Sequence, residues 1–454
     1  MNAIRHLAVL LLLAASLHWA VQGPAAAQEP KAEIPADSGP GQQSLRIDDV
    51  VRESLEKNPE AQSALHAMKA LERRVPQASA LPDPVASVGW AGNLAPFSIM
   101  SGDASSYRGV AVSEQFPYPG KLKLQGKIAS KEAEAARADY EAVRRRVAAE
   151  VKSAYYEYYY IGKAIQTTSK NKDLLEKLSQ IAEAQYRVGK GMQQDVLRSQ
   201  VEISLLIEKL TVLEQQRATA QARINTFLLR DPESPLPPAA EVTPSTMRYS
   251  LAELNSLAAD NDTAVQRNRR MVERGHLSME LAEKQYRPDF GVGYMYQQRA
   301  ALPDMNGMTF SMNIPIFYRS KQRQGVAEAA ESLLSAEKMR DNRLNEVRFE
   351  LKQQYLASQA AEKLLSLYSK GIIPQSSLAL ESAMSSYQVG KVDFTTLIAN
   401  FTTLLAYETD YYRQLADYQI ALARIESLTG VAVGDDSTSE PGTAVIQPAK
   451  QGER

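Results

Sequence analysis

The chain has 454 residues, no cysteine, and nearly balanced charge, with 52 Lys and Arg against 53 Asp and Glu. The lack of cysteine excludes disulfides, thiolate metal sites and a lipid attached to an N-terminal cysteine. Balanced charge gives no broad positive field, so no nucleic acid partner is expected. No HExxH, GxSxG or phosphate-loop motif supports an enzyme, and we predict neither a cofactor nor a metal site.

The N-terminus has the pattern of a secretory signal peptide over residues 1–27. Arg5 precedes an apolar run at 7–15, and three alanines at 25–27 provide a small-residue cleavage site before Gln28. An uncleaved membrane anchor is the alternative, but the run is shorter than the roughly 20 apolar residues that span a bilayer. Residues 28–45 are rich in Pro, Ala, Gly and Gln, which predicts a disordered leader.

Residues 46–230 combine helices with a short stretch of strands. A helix from Arg46 to Ala78 is expected to break at Asn58 and Pro59. Alternation of apolar and polar residues predicts strands at about 85–92 and 107–116. From 121 to 230 no proline occurs, which predicts a long helical hairpin.

The same order of elements returns after a Pro-rich linker at 231–249. A helix begins near Ser250, strands are expected at about 289–298 and 307–316, and a second hairpin occupies 321–430, with a kink at Pro374. Residues 431–454 are expected to form a disordered tail. The chain is therefore a tandem repeat of two similar halves. Each half is too long to be the unit of a solenoid.

Both hairpins carry apolar residues spaced three and four apart, as in a coiled coil. In the first hairpin this seam includes Val147, Val151, Ala154, Tyr158 and Ile161. A limb from residue 121 to residue 188, at about 1.5 Å per residue, is on the order of 100 Å long. The function of the hairpins is therefore predicted to be reach, over a distance comparable to that length.

Each hairpin turns at a copy of the motif Tyr-x-Val-Gly-Lys, and the copies are 201 positions apart. The glycines suit a left-handed residue at a helix end, the lysines suit unsatisfied carbonyls there, and the aspartates suit the start of the returning helix. The residues concerned are Tyr186, Gly189, Lys190 and Asp195 in the first turn, and Tyr387, Gly390, Lys391 and Asp393 in the second.

Four strands with one apolar face cannot close a barrel that leaves no open edge in lipid. Three chains would supply twelve strands, which is within the range of outer-membrane barrels. The predicted fold class is therefore mostly α with membrane β: a two-strand element plus a long coiled-coil hairpin, repeated in tandem.

The repeated strand elements, the long hairpins and the two Tyr-x-Val-Gly-Lys turns, followed by Asp195-Val196-Leu197 or Thr396-Leu397-Ile398, resemble the TolC-like outer-membrane efflux proteins. The resemblance covers residues 46–430. It implies a homotrimer with a 12-stranded β-barrel in the outer membrane of a Gram-negative cell and an α-helical tunnel across the periplasm. The segment from Phe116 to Lys121 resembles the heavy-metal branch of this family.

The resemblance also implies partners and a gate. The expected partners are outer-membrane lipid, a periplasmic adaptor (membrane fusion) protein and an inner-membrane efflux pump of the RND type, which supplies the energy for a passive duct. The family's periplasmic tip is an iris, and the positions matching its clasp here are Asp195 and Tyr387. Gln194 and Val392 occupy a second clasp position, where Val392 cannot donate a hydrogen bond. Simple capping is the alternative role of the turn residues.

A periplasmic adaptor, or another coiled-coil envelope protein without a barrel, is the alternative interpretation of the whole chain. An adaptor predicts one hairpin flanked by small β-domains, whereas this sequence predicts two hairpins. A secreted enzyme lacks any supporting motif.

Overall fold

The computed structural model describes residues 44–92 and 98–434. The predicted signal peptide, residues 28–43 of the predicted leader and the tail from residue 435 lie outside the described residues. The predicted end of the leader and the predicted start of the tail need correction. Leu45 forms a parallel bridge with Ala239, and Val433 is fully buried, so neither belongs to a disordered segment. Both are ordered because backbone groups of the linker pair with them.

Two short helices open the described chain, α1 (Ile47–Lys57) and α2 (Pro59–Ser79). The boundary between them lies at Asn58, where the sequence predicts a break. The side chain of Asn58 accepts hydrogen bonds from the backbone N–H groups of Glu60 and Ala61, which caps α2. Pro59 follows as the first residue of α2, where its missing N–H costs nothing. The second half repeats this arrangement with α5 (Leu251–Asn261), α6 (Thr263–Lys284) and Asp262 as the cap.

The four strands form one antiparallel sheet in the order β1, β2, β3, β4. Their bounds are Val85–Ala91, Tyr107–Phe116, Phe290–Gln298 and Met305–Met312. The predicted range 307–316 for β4 is wrong by two to four residues. The strand starts at Met305 because that residue pairs with Gln297, and it ends at Met312, opposite Phe290, before Pro315 removes a backbone donor.

The two faces of the sheet differ in chemistry. One face carries exposed apolar side chains in register across the strands; these are Val88, Val110, Val112, Phe290, Val292, Tyr294, Met308, Phe310 and Met312. The opposite face carries mostly small or polar residues, with Tyr107, Met295 and Met305 among them; the small and polar ones include Gly89, Gly109, Ala111, Ser113, Gly291, Gly293, Gly307, Thr309 and Ser311. Phe310 is 75% exposed, and none of the described residues covers the apolar face.

Two helical hairpins extend from the sheet. The first consists of α3 (Lys121–Arg187) and α4 (Gln193–Phe227). The second consists of α7 (Gln322–Leu367), a π-helical segment (Tyr368–Ile372), α8 (Ile373–Gln388) and α9 (Phe394–Thr429). Within the two described ranges, none of the helices carries an apolar stretch long enough to cross a membrane.

The coiled-coil seam of the first hairpin is buried as predicted. On α3 a buried residue recurs every seven positions, at Val147, Ala154, Ile161, Thr168, Leu175 and Ala182. The α3 helix contacts both α4 and α9, so the two hairpins form one layered bundle. Three clusters of buried apolar residues hold it together, and the cluster nearest the tips combines residues of both hairpins, such as Leu175 and Leu397.

An ion pair with a buried lysine joins the sheet to the first hairpin. Lys121, the first residue of α3, has a side chain only 4% exposed, and its Nζ donates to Asp289 Oδ1 at 2.8 Å and to the Arg287 carbonyl at 3.0 Å. The same Asp289 oxygen accepts the backbone N–H of Tyr118 at 2.7 Å. Because Asp289 directly precedes β3, this contact ties the two repeats together where strands become helices.

The linker between the repeats packs on α3 through tyrosines. The Tyr155 hydroxyl donates to the Leu45 carbonyl at 2.8 Å and accepts the Ala240 N–H at 3.1 Å. The Tyr159 hydroxyl donates to Glu241 at 3.0 Å. Burial raises the pKa of Tyr155 to about 12. These tyrosines therefore fasten the linker to the bundle.

Candidate functional site at the helix tips

The two hairpin turns have the same backbone geometry. Gly189 and Gly390 have φ values of 74° and 71°, in the left-handed region that glycine adopts without steric cost. The N–H of Lys190 bonds to the Gln185 carbonyl, and the N–H of Lys391 bonds to the Ser386 carbonyl, both at 2.9 Å. This pattern is a Schellman motif, and it ends α3 and α8 in the same way.

The returning helices start differently in the two repeats. In the second, the Asp393 side chain accepts the N–H of Thr396 at 2.7 Å and caps α9. That bond holds the pKa of Asp393 below its usual range. In the first, Met192 occupies the cap position and its side chain makes no capping bond. Asp195 is the third residue of α4, so its carboxylate is available for another partner.

That partner is Tyr387, which closes a contact between the hairpins. The Tyr387 hydroxyl donates to Asp195 Oδ2 over 3.4 Å, a long hydrogen bond. Tyr387 is only 5% exposed, and its ring lies 5.4 Å from that of Phe394. Burial, followed by the charge of Asp195, raises the pKa of Tyr387 to about 12. The neutral hydroxyl is therefore held as a donor facing a carboxylate.

The other predicted tip residues lie on the surface of the turns. Tyr186 is 45% exposed, although it is the repeat counterpart of buried Tyr387. Lys190, Lys391 and Gln194 are also exposed, and their side chains make no hydrogen bond or ion pair with the described residues. The structure therefore brings Asp195 and Tyr387 together and leaves these four outside the contact.

Sequence reasoning missed Arg198. This side chain on α4 donates to Thr395 Oγ1 of α9 at 3.1 Å, which makes a second bond between the hairpins at the tip. The available signal was its position three residues after Asp195, on the same face of the helix. In residues 44–92 and 98–434, no group of three His, Asp or Glu side chains is placed to hold a metal ion.

The sheet with one uncovered apolar face and the long paired hairpins give this chain the fold of outer-membrane channel proteins. The structure of VceC from Vibrio cholerae aligns with 84% of this chain and 96% of its own, at 16% identity and a TM-score of 0.70. The corresponding values for CusC are 91%, 99%, 15% and 0.70. For the open state of MtrE from Neisseria gonorrhoeae they are 87%, 91%, 16% and 0.67.

Residues 50–228 match the sequence model of the family described as outer membrane efflux protein. No curated protein matches the sequence. The match covers the first repeat, and the shared fold covers both. The family match and the shared fold confirm the predicted resemblance to the TolC-like outer-membrane efflux proteins and the predicted fold class. This class forms passive exit ducts in the outer membrane and comprises no enzymes.

Proposed function

We propose that three copies of this chain assemble into the exit duct of a tripartite efflux system. A periplasmic adaptor would dock on the tips of the helices, and an inner-membrane pump would deliver the substrate and supply the energy. The observation that carries the proposal is the sheet: its apolar face is exposed, and no other strand of the described residues pairs with the outer edge of β1 or of β4. A second copy at each edge would satisfy these backbone groups.

The length of the helices supports a duct that reaches from the outer membrane into the periplasm. The α3 helix has 67 residues, which at about 1.5 Å per residue gives roughly 100 Å. The apolar face of the sheet would contact lipid, and the small and polar face would line the pore. Met308 and Met312 lie on the apolar face beside Phe310, so contact with lipid explains them without metal binding.

Reconstitution of the purified protein tests the duct. Detergent-extracted protein is added to planar lipid bilayers and the current is recorded, with the same protein unfolded by heat as the control. A small, stable conductance supports a duct that is closed at rest. A folded protein that never inserts and gives no current would contradict it.

We propose that the contact between Tyr387 and Asp195 holds the tip closed. It joins the second hairpin to the first, and it lies directly at the turns, where a small displacement changes the opening most. The bond from Arg198 to Thr395 supports the same closure.

For the cargo, we propose a heavy-metal ion, on the similarity of the segment from Phe116 to Lys121 to that branch of the family. A deletion strain would be compared with its parent for tolerance of copper, silver, zinc and cadmium, and of a panel of drugs. Loss of metal tolerance alone supports the proposal, and loss of drug tolerance alone contradicts it.

A further inference from the structure

The two hairpins differ in one respect that the sequence repeat conceals. In the first, α3 is a continuous α-helix from Lys121 to Arg187. In the second, the descending limb is interrupted by the π-helical segment Tyr368–Ile372, where the N–H of Ile373 bonds to the Tyr368 carbonyl five residues back. The stretch 201 positions earlier, residues 167–171, lies inside α3 without interruption.

The π segment accommodates one extra residue in the coiled-coil seam. On α7 the buried residues Leu351, Ser358 and Leu365 are spaced by seven, and on α8 Leu380 and Tyr387 are again spaced by seven. Between Leu365 and Leu380, however, there are fifteen positions, one more than two heptads. The first hairpin keeps its interval of seven through the equivalent region.

The π segment is only partly packed: Tyr368 contacts Tyr407 of α9 with ring centroids 6.1 Å apart, but Ser369 borders an open cleft. Pro374 follows it and cannot donate a backbone hydrogen bond. A cleft of about 450 Å³ opens beside it, lined on the segment's side by Ser369 and Ile373 and on the other by α3 and α9 side chains such as Lys170 and Glu408. Close-packed interiors resist displacement, whereas this cleft leaves space into which the helix can move.

We infer that the π segment is the hinge of the gate, so that α8 and the second turn pivot there while the first hairpin stays straight. The inference rests on the proposed gate. The 16 residues of α8 form a lever about 24 Å long, and a rotation of about 10° displaces its end by about 4 Å. Such a displacement is sufficient to break the bond between Tyr387 and Asp195.

Hydrogen exchange in the unmodified protein tests the hinge independently of the gate. Helical amides exchange only when their hydrogen bonds open, so the rate reports local opening. We expect the amides of residues 368–373 to exchange at least about tenfold faster than those of residues 167–172. Equal or slower exchange in the second hairpin would overturn the inference, whether or not the tip is a gate.

A deletion of Gly371 tests the consequence. It removes the extra residue, so α7 and α8 can join as one α-helix with both parts of the seam in phase. We expect exchange at the junction to fall to the rate of residues 167–172. Combined with Tyr387→Phe, the deletion should return the conductance to that of the unmodified channel. Slow exchange with an undiminished conductance in the double variant would show that the tip opens without this hinge.

Pro374→Ala is the matched control, because it restores a backbone donor but retains the extra residue. Its junction should keep the fast exchange of the unmodified protein. Slow exchange in Pro374→Ala would attribute the opening to proline and overturn the role of the extra residue. If the deletion variant fails to assemble, two measurements still test the hinge: the comparison of the two hairpins in the unmodified protein, and the exchange of Pro374→Ala.

Discussion

At the scale of single residues, the repeat places the same amino acid in two different roles. Tyr186 and Tyr387 occupy equivalent positions in the two turns, but only Tyr387 is buried and bonded to Asp195. Tyr387 packs on Phe394, the first residue of α9, whereas α4 begins with Gln193 at the equivalent position. The contact between Tyr387 and Asp195 therefore has no counterpart at Tyr186, although the two turns share one backbone geometry.

Removal of the Tyr387 hydroxyl should loosen the tip. We expect Tyr387→Phe to raise the single-channel conductance severalfold, because the ring still packs on Phe394 while the bond to Asp195 is lost. Asp195→Ala should have the same effect. Tyr186→Phe is the matched control and should leave the conductance unchanged. The clasp is rejected if both Tyr387→Phe and Asp195→Ala conduct like the unmodified channel.

The clasp should also be insensitive to moderately alkaline pH. In the closed tip the pKa of Tyr387 is about 12, above the ordinary value of 10 that we expect once opening exposes the ring. The neutral hydroxyl therefore stabilises the closed tip fully below about pH 10, and this contribution is lost as the pH rises through about 12. Bilayer recordings from pH 7 to 9 should show constant conductance. A rise within that range that Tyr387→Phe abolishes would contradict this assignment.

Sequence reasoning could place Asp195 and Tyr387 at the tip but could not measure their separation. The turn glycines are predictable because a left-handed helix end requires them locally. The contact between hairpins depends on how α4 packs against α9, which involves residues far apart in sequence. For that reason Arg198 and Thr395, 197 positions apart, were not predicted as partners.

At the scale of elements, the proposed duct assigns the apolar face of the sheet to lipid and the opposite face to the pore. Phe310→Lys would place a charge on the apolar face at a cost of about 2 to 4 kcal/mol near the bilayer midplane. Thr309→Lys, one position away on the opposite face, is the control and should be tolerated. We expect Phe310→Lys to lower the yield of heat-resistant assembled protein from outer membranes. Equal yields of the two variants would contradict the assignment of the faces.

The junction between sheet and helices should depend on the ion pair of Lys121 with Asp289. Asp289→Asn leaves the Lys121 ammonium with weaker acceptors, and we expect a loss of about 2 kcal/mol in the free energy of unfolding. The corresponding aspartate of the first repeat, Asp83, is exposed, so Asp83→Asn serves as the control. Thermal unfolding of the detergent-solubilised proteins compares them. A midpoint for Asp289→Asn equal to that of the control would show that the pair is not structural.

Periodicity alone located most elements. The heptad seam predicted both hairpins, and alternation predicted the strands, because each pattern reflects one buried or lipid-facing side. Periodicity did not predict the π segment. Pro374 indicated a kink, but the extra residue appears only in the structure, in the hydrogen bond from Ile373 to Tyr368 and in the spacing of the buried residues on either side. The end of β4 was misplaced because its pairing with β3, not its own alternation, sets its limits.

At the scale of the whole molecule, the duplicated chain leaves sheet edges unpaired and apolar surfaces uncovered among its described residues. One sheet has two open edges, and one bundle has two hairpins with apolar residues on the outside, such as Val201 and Leu205 on α4 and Leu367 and Leu378 in the second hairpin. Exposed apolar stripes of this kind mark surfaces that associate. A ring of identical copies would cover the stripes and close the sheet edges at once.

The stoichiometry of the membrane-extracted protein tests this account most directly. Native mass spectrometry of the protein, purified from outer membranes in mild detergent, should give a mass of three chains, and the same sample should conduct ions in planar bilayers. A stable, folded single chain, recovered without detergent and unable to form channels, would contradict the account.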